Sequence, residues 1–183
     1  MGIYGAAAFA QRPAVLAYYT GDGEMIRQYP VAGLTHVIYS FLHLNGDTLS
    51  FRNEKQKATL RQLVSLKEEH PGLKILVALG GWGGCGPCSG AFSTPLGRTQ
   101  FTRSALRLFR EYNVDGIDID WEYPDAGQSA QNFLALITEL RAAMPDKLLT
   151  AAVVAYGDDH GLGIPPESFA LMDFVVVMAY SGR

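Results

Sequence analysis

The sequence predicts an α/β fold, and three observations predict it. Short apolar, β-prone runs recur along the chain, amphipathic helical stretches alternate with them, and Gly- and Pro-containing breaks separate the two. Strand and helix alternate six times. Most of the strand-like runs are near-continuously apolar, as expected for parallel strands covered on both faces. Alternation alone leaves two architectures open, a doubly wound open sheet and a closed barrel.

Residues 14–19 (AVLAYY) are the first such run, ended by Thr20, Gly21, Asp22 and Gly23. A short helix is expected over 25–29, and a second strand over 36–42 (HVIYSFL), after which Asn45, Gly46 and Asp47 turn the chain. From 53 to 69, Leu60, Leu63, Val64 and Leu66 recur at helical spacing among charged residues, with Asn53 placed to cap. Pro71 and Gly72 stop that helix. Residues 74–79 (KILVAL) form the third strand, closed by Gly80, Gly81 and Trp82. Thr94 and Pro95 open the next helix, whose buried stripe is Phe101, Leu106, Leu108 and Phe109. After an acidic fourth strand come a helix over 129–144, a fifth strand over 148–155, a short helix over 165–172 and a sixth strand over 174–179 (FVVVMA).

At 183 residues, with net charge −3 and 48% hydrophobic content, the chain reads as one soluble globular domain with a sizeable core. Mild acidity without a Lys/Arg cluster argues against a nucleic-acid or anionic-membrane partner. No apolar run reaches the ~18 to 20 residues that span a bilayer. Residues 1–10 (MGIYGAAAFA) are small and apolar, and Ala8, Phe9 and Ala10 before Gln11 read like an A-x-A signal-peptidase site. They lack a positively charged start, so they are either the tail of a longer export signal or a disordered terminus, and they are excluded from the fold. Export implies a secreted or periplasmic location.

The chemistry concentrates in residues 115–124 (DGIDIDWEYP). Ile117, Ile119 and Trp121 alternate with Asp118, Asp120 and Glu122, the period of a strand with one apolar and one acidic face. Carboxylates in file about 6 to 7 Å apart repel unless some are protonated or hydrogen-bonded. A solvated acidic edge is the plain alternative, but exposed edges favour Lys and mixed signs. Glu122 falls at or past the carboxyl end of the strand, where parallel α/β folds place their chemistry.

These residues carry a family resemblance. The pattern D-x-x-D-x-D-x-E, here Asp115, Asp118, Asp120 and Glu122, resembles the signature of glycoside hydrolase family 18, the chitinases and related endo-β-N-acetylglucosaminidases. The resemblance implies a (β/α)8 TIM-type barrel. A complete barrel takes about 250 residues, so this chain looks like one truncated after its sixth strand. Either it is a fragment or two open sheet edges are covered by another chain. The resemblance further implies hydrolysis of β-1,4 linkages in chitin or N-acetylglucosamine oligomers by a retaining, substrate-assisted route without a cofactor. Glu122 would be the general acid/base, kept protonated by its neighbour Asp120. Asp120 would orient the substrate acetamido group, Asp118 would hydrogen-bond Asp120, and Asp115, of opposite parity, would order the loop before the strand.

Other positions match the family less specifically. Met178 and Tyr180 resemble its M-x-Y motif, with the Tyr180 hydroxyl expected at the acetamido oxygen; without the acidic strand they would read as core. Tyr18, Gly81, Trp82, Tyr123 and Ser181 also match substrate-binding positions, and aromatic faces suit the C–H faces of sugar rings. Two departures stand out. Ala78 occupies a position where the family commonly has a Ser that bonds the inner aspartate, and Ser181 one where it commonly has Asp. Rival readings are an endo-β-N-acetylglucosaminidase on glycoprotein glycans and a catalytically silent chitin-binding relative.

Two cysteines, Cys85 and Cys88, flank Gly86 and Pro87. A thioredoxin-like site would open a helix directly after a strand, and two ligands do not complete a tetrahedral zinc site. A local disulfide is the expectation, with redox and metal roles as alternatives. Asp158, Asp159 and His160 make a run that reads as solvated rather than metal-binding. His36 and His43 read as strand and loop residues.

Overall fold

The computed structural model describes residues 13–155 and 163–180. The candidate export residues 1–10, the Asp158, Asp159 and His160 run, and Ser181 lie outside the described residues.

In chain order the elements are β1 (Leu16–Tyr19), β2 (His36–Asn45), β3 (Thr48–Ser50), α1 (Glu54–Glu69), β4 (Lys74–Gly80), α2 (Cys88–Ala91), α3 (Pro95–Tyr112), β5 (Gly116–Asp120), α4 (Gln128–Ala143), β6 (Leu148–Val154) and β7 (Phe174–Met178). Short 3₁₀ turns occupy Met25–Gln28, Val31–Gly33 and Pro166–Leu171. The local causes are those the sequence offers. Asn53 accepts a hydrogen bond from the Gln56 amide to cap α1, and Thr94 accepts one from Gly97 to cap α3, with Pro95 in its first turn. Asn113 ends α3 in the left-handed conformation at φ 55°.

Six strands pair in parallel in the order β1-β2-β4-β5-β6-β7, and β3 pairs antiparallel with β2 as an added hairpin. That hairpin departs from the expected simple alternation. β2 runs on to Asn45, turns at Gly46 with φ 57°, and pairs back over three residues. β5 is also shorter than its alternating pattern suggested, since pairing stops at Asp120 and leaves Trp121 and Glu122 beyond the sheet.

The sheet is curled. β2 and β7 stand four strand spacings apart, roughly 19 Å in a flat sheet. Yet the rings of His36 on β2 and Phe174 on β7 meet edge to face at 5.1 Å. Curling of this kind, with helices outside, is a half-barrel that matches a (β/α)8 barrel truncated after its sixth parallel strand. The large core lies between the strands and the helices, with Leu60, Leu63, Ile75, Val77, Phe101, Ile117, Ile119 and Phe133 fully or almost fully buried. A smaller cluster, Ile38, Leu76 and Ala78 with Tyr18 and Phe41 against it, lines the concave face.

A repeated device fixes the lower end of the sheet. The residue just before a strand accepts, through its side chain, an amide at the start of the neighbouring strand: Thr35 from Val15 at 2.7 Å, Asp115 from Ile75 at 2.8 Å and Asp173 from Leu149 at 2.8 Å. Both aspartates also meet a cation from a helix packed behind the sheet, Asp115 with Lys67 at 2.7 Å and Asp173 with Arg141 at 2.6 Å. The first aspartate of the acidic motif is thus a strand clip.

Candidate active site

Parity decides where the acidic side chains go. Ile117 and Ile119 are fully buried in the helix-facing core, so Asp118 and Asp120 project to the concave face. The register places Ala78, Asp118 and Thr150 side by side across β4, β5 and β6. Asp118 is fully buried. Its Oδ1 accepts a hydrogen bond from the Thr150 hydroxyl, and its Oδ2 accepts one from the Tyr18 hydroxyl at 2.9 Å. Ala78 offers no donor, and Thr150 and Tyr18 satisfy the carboxylate from other strands.

Burial pushes the Asp118 carboxyl up to about 6, against the two hydroxyl hydrogen bonds that pull it down. Asp120 is pushed up to about 8, first by burial, then by the charges of Glu122 and Asp118 and by a hydrogen bond to Glu122. Two carboxylates in such contact hold one proton between them. Of the two, Asp120 is the carboxyl that burial raises. Asp120 is almost wholly buried, while Glu122 lies past the strand end and is only half-buried. Desolvation therefore falls on the aspartate. Asp120 Oδ1 is buried with no hydrogen-bond partner among the described residues.

The backbone around Asp120 is held by glycines. The Gly81 amide donates to the Asp120 carbonyl at 2.9 Å. Gly80 has φ 109°, and a Cβ there would stand 2.1 Å from the same carbonyl oxygen. Gly81, at φ 77°, lies against the Phe41 ring, which would be 2.8 Å from a Cβ.

Aromatic residues surround the acids. Trp82 follows β4 and is 82% exposed, with its ring 6.4 Å from that of Tyr123. The Tyr123 phenol is pushed up to about 12 by burial and by the adjacent Glu122 carboxylate. Tyr180, 71% exposed just past β7, is raised by burial and by the charges of Asp120 and Glu122, which places it in the same electrostatic neighbourhood. Met178 is half-buried at the end of β7. Tyr18 is occupied by Asp118, and its ring packs at 6.5 Å from Phe41. Burial, and then the Asp118 charge, raise its hydroxyl well above the usual phenol range. Thr150 is the functional neighbour that sequence reasoning missed; its only signal is a hydroxyl at a concave-facing position of an otherwise apolar strand. Cys85 and Cys88 are joined in a disulfide in the loop that carries Trp82. No group of three or more metal-ligating side chains is found among the described residues.

A carboxylate file running out of the carboxyl end of β5 in a curled, parallel α/β sheet, with aromatic side chains beside it, points to a class: a glycoside hydrolase barrel. Comparison narrows it further. The sequence profile of the family described as Glycosyl hydrolases family 18 matches residues 14–183, and the chain belongs to that family. It is 35% identical over 164 residues to chitotriosidase-1 of Mus musculus, covering 80% of this chain and 35% of that protein. Against chitinase B of Serratia marcescens it is 30% identical over 163 residues, covering 73% of this chain and 32% of that protein. The crystal structure of the Ostrinia furnacalis group IV chitinase superposes with a TM-score of 0.84 at 29% identity, covering 92% of this chain and 52% of that one. The chain thus spans about a third of the length of these curated relatives.

Proposed function

We propose that the protein built on this chain hydrolyses β-1,4 linkages in chitin or N-acetylglucosamine oligomers, with retention and with the substrate's own acetamido group as nucleophile. The observation that carries the reading is the Asp120–Glu122 pair at the strand end, a buried carboxyl raised by burial and by contact with a half-buried one. A glycosidase needs a proton donor that survives near neutral pH, and the Asp120 carboxyl of this pair is pushed up to about 8 by burial and its carboxylate neighbours.

The bound sugar's acetamido N–H would hydrogen-bond Asp120 Oδ1, the atom that lacks a partner among the described residues. That contact favours the Asp120 anion, so the shared proton passes along the hydrogen bond to Glu122. Glu122 protonates the departing glycosidic oxygen while the acetamido carbonyl oxygen attacks the anomeric carbon and the C–O bond breaks. Asp120 balances the positive charge of the cyclic intermediate, and the Tyr180 hydroxyl donates toward the acetamido oxygen. Glu122, now anionic, then accepts a proton from the water that opens the ring. Asp118, gripped by Thr150 and Tyr18, holds a fixed position behind Asp120. Trp82 and Tyr123 supply stacking surfaces for neighbouring sugar rings.

Family membership supports carbohydrate hydrolysis in general, and the names of the chitinase relatives point to chitin. Incubating the protein with N-acetylglucosamine hexamer and, separately, with a high-mannose glycoprotein tests the choice. Release of shorter oligomers as the β-anomer supports the proposal, whereas cleavage confined to the glycoprotein, or an initial α-anomer product, overturns it. A silent binding protein would release nothing from either, and the presence of Glu122 argues against that outcome.

A further inference from the structure

We infer that the Cys85–Cys88 disulfide is a positioning device for Trp82, fixing the indole in the wall of the cleft before a sugar chain arrives. The inference rests on the carbohydrate-cleaving reading above and adds the element that sets affinity.

Trp82 sits in a glycine-rich segment, held on one side by the Gly81 amide on the Asp120 carbonyl. Positions 80, 81, 83, 84 and 86 are glycine, and Gly80, Gly81 and Gly83 take φ values of 109°, 77° and 71°. Glycine loses more backbone freedom on ordering than any other residue, and five of them leave few side chains to pack. Yet the indole is 82% exposed and stands in ring contact with Tyr123, one residue from Glu122. A large apolar side chain held in solvent on a glycine hinge gains order from any restraint on the far side of that hinge.

The disulfide supplies one. The Gly84 amide closes a turn onto the Gly81 carbonyl at 2.8 Å, and Cys85, the next residue, packs against Gly80. The cross-link, beside the Cys88 amide on the Cys85 carbonyl at 2.9 Å, carries that turn to Cys88, which is fully buried. The Cys88 carbonyl accepts the Phe92 amide at 2.9 Å, and the Phe92 ring lies 5.1 Å from Phe101 and 5.6 Å from Trp121. Trp121 immediately precedes Glu122. The glycine turn bearing Trp82 is therefore tied to the same packed aromatic group that underlies the candidate acid. A cross-link between residues only three apart removes little freedom from the unfolded chain, so its effect is local rather than global. Ordering a platform in advance improves binding by cutting the cost of ordering it on association.

The test is the Cys85→Ser/Cys88→Ser double variant of the protein, read in three ways. Trp82 and Trp121 are the two tryptophans of this 183-residue sequence, and Trp121 is buried, so nanosecond fluorescence anisotropy and iodide quenching of that chain report chiefly on Trp82. Loss of the disulfide is expected to add fast indole motion, to raise KM for N-acetylglucosamine hexamer by about three- to tenfold, and to change kcat much less. On a Trp82→Ala background the same cysteine changes should raise KM no further, because the group they position is gone. An indole equally ordered without the cross-link overturns the inference. So does a KM effect of the same size on the Trp82→Ala background. If the serine variant does not fold, phosphine reduction of the native protein is read by the same measurements. If the parent neither binds nor cleaves oligomers, the carbohydrate reading falls and the anisotropy alone decides the positioning claim.

Discussion

Asp118 on β5 and Thr150 on β6 face each other across the parallel register, and the threonine hydroxyl donates to a carboxylate that is entirely shielded from water. The bond opposes the burial that raises Asp118, as does the second one from Tyr18. Replacing Thr150 with Val keeps the shape and removes the donor. It should cost about 1–3 kcal/mol of stability in urea unfolding and raise the Asp118 carboxyl further. Thr150→Ser should restore most of both. A Val variant as stable as the parent would show that the carboxylate has other support.

Global stability should fall as the solution is made more alkaline through the neutral range. Asp118 and Asp120 both sit above their ordinary 3.8 in the folded state, at about 6 and about 8. The folded protein therefore binds these protons more tightly than the unfolded chain, and their contribution is fully present below about pH 4 and lost as pH rises through the folded values. For Asp118 alone the loss amounts to roughly 3 kcal/mol by pH 7. Denaturant midpoints measured from pH 4 to pH 8 should decline, and Asp118→Asn should flatten the decline. A rising profile over that range would contradict the burial argument.

Much of this arrangement was legible in the sequence. The caps at Asn53 and Thr94, the six parallel strands and the parity that separates Ile117 and Ile119 from Asp118 and Asp120 all follow from local pattern, and local pattern is enough for features set by neighbours in the chain. Thr150 was not legible, because its role exists only once β5 and β6 are in register. The raised Asp120 carboxyl was not legible either, since it depends on how deeply the fold buries that side chain. The three-residue β3 was too short to show a period of its own, and it is defined by pairing with the extended end of β2.

Asp115 and Asp118 belong to one motif but do different work. Asp115 clips the Ile75 amide and the Lys67 ammonium at the far end of the strand, away from the acids. Asp115→Ala should cost about 2–3 kcal/mol, because it leaves a partly buried amide and cation unpaired. The folded variant should keep kcat and KM within about twofold. Thermal unfolding and steady-state kinetics on the same preparation check this, and a selective loss of kcat would assign Asp115 to the chemistry.

Gly80 touches the Asp120 carbonyl so closely that no side chain fits without moving it. Gly80→Ala should destabilise by more than about 2 kcal/mol from its positive φ and the backbone clash together. The residual folded enzyme should lose turnover as Asp120 shifts. Equal stability and turnover would mean that the loop relaxes freely.

The role given to the acetamido group predicts a substrate-dependent effect. Asp120→Asn should cut turnover by about 10²–10³-fold on acetamido sugars, the scale of removing one preorganised charge-stabilising group. An equal loss on a substrate without that group would speak against substrate assistance.

The central claim is that Glu122 delivers the shared proton to the leaving oxygen. Hexamer turnover and hexamer affinity measured together for Glu122→Gln test it most directly. Turnover should be lower by at least about 10³-fold with the dissociation constant changed by no more than a few-fold. Turnover close to that of the parent, or a loss of binding that matches the loss of rate, would contradict it.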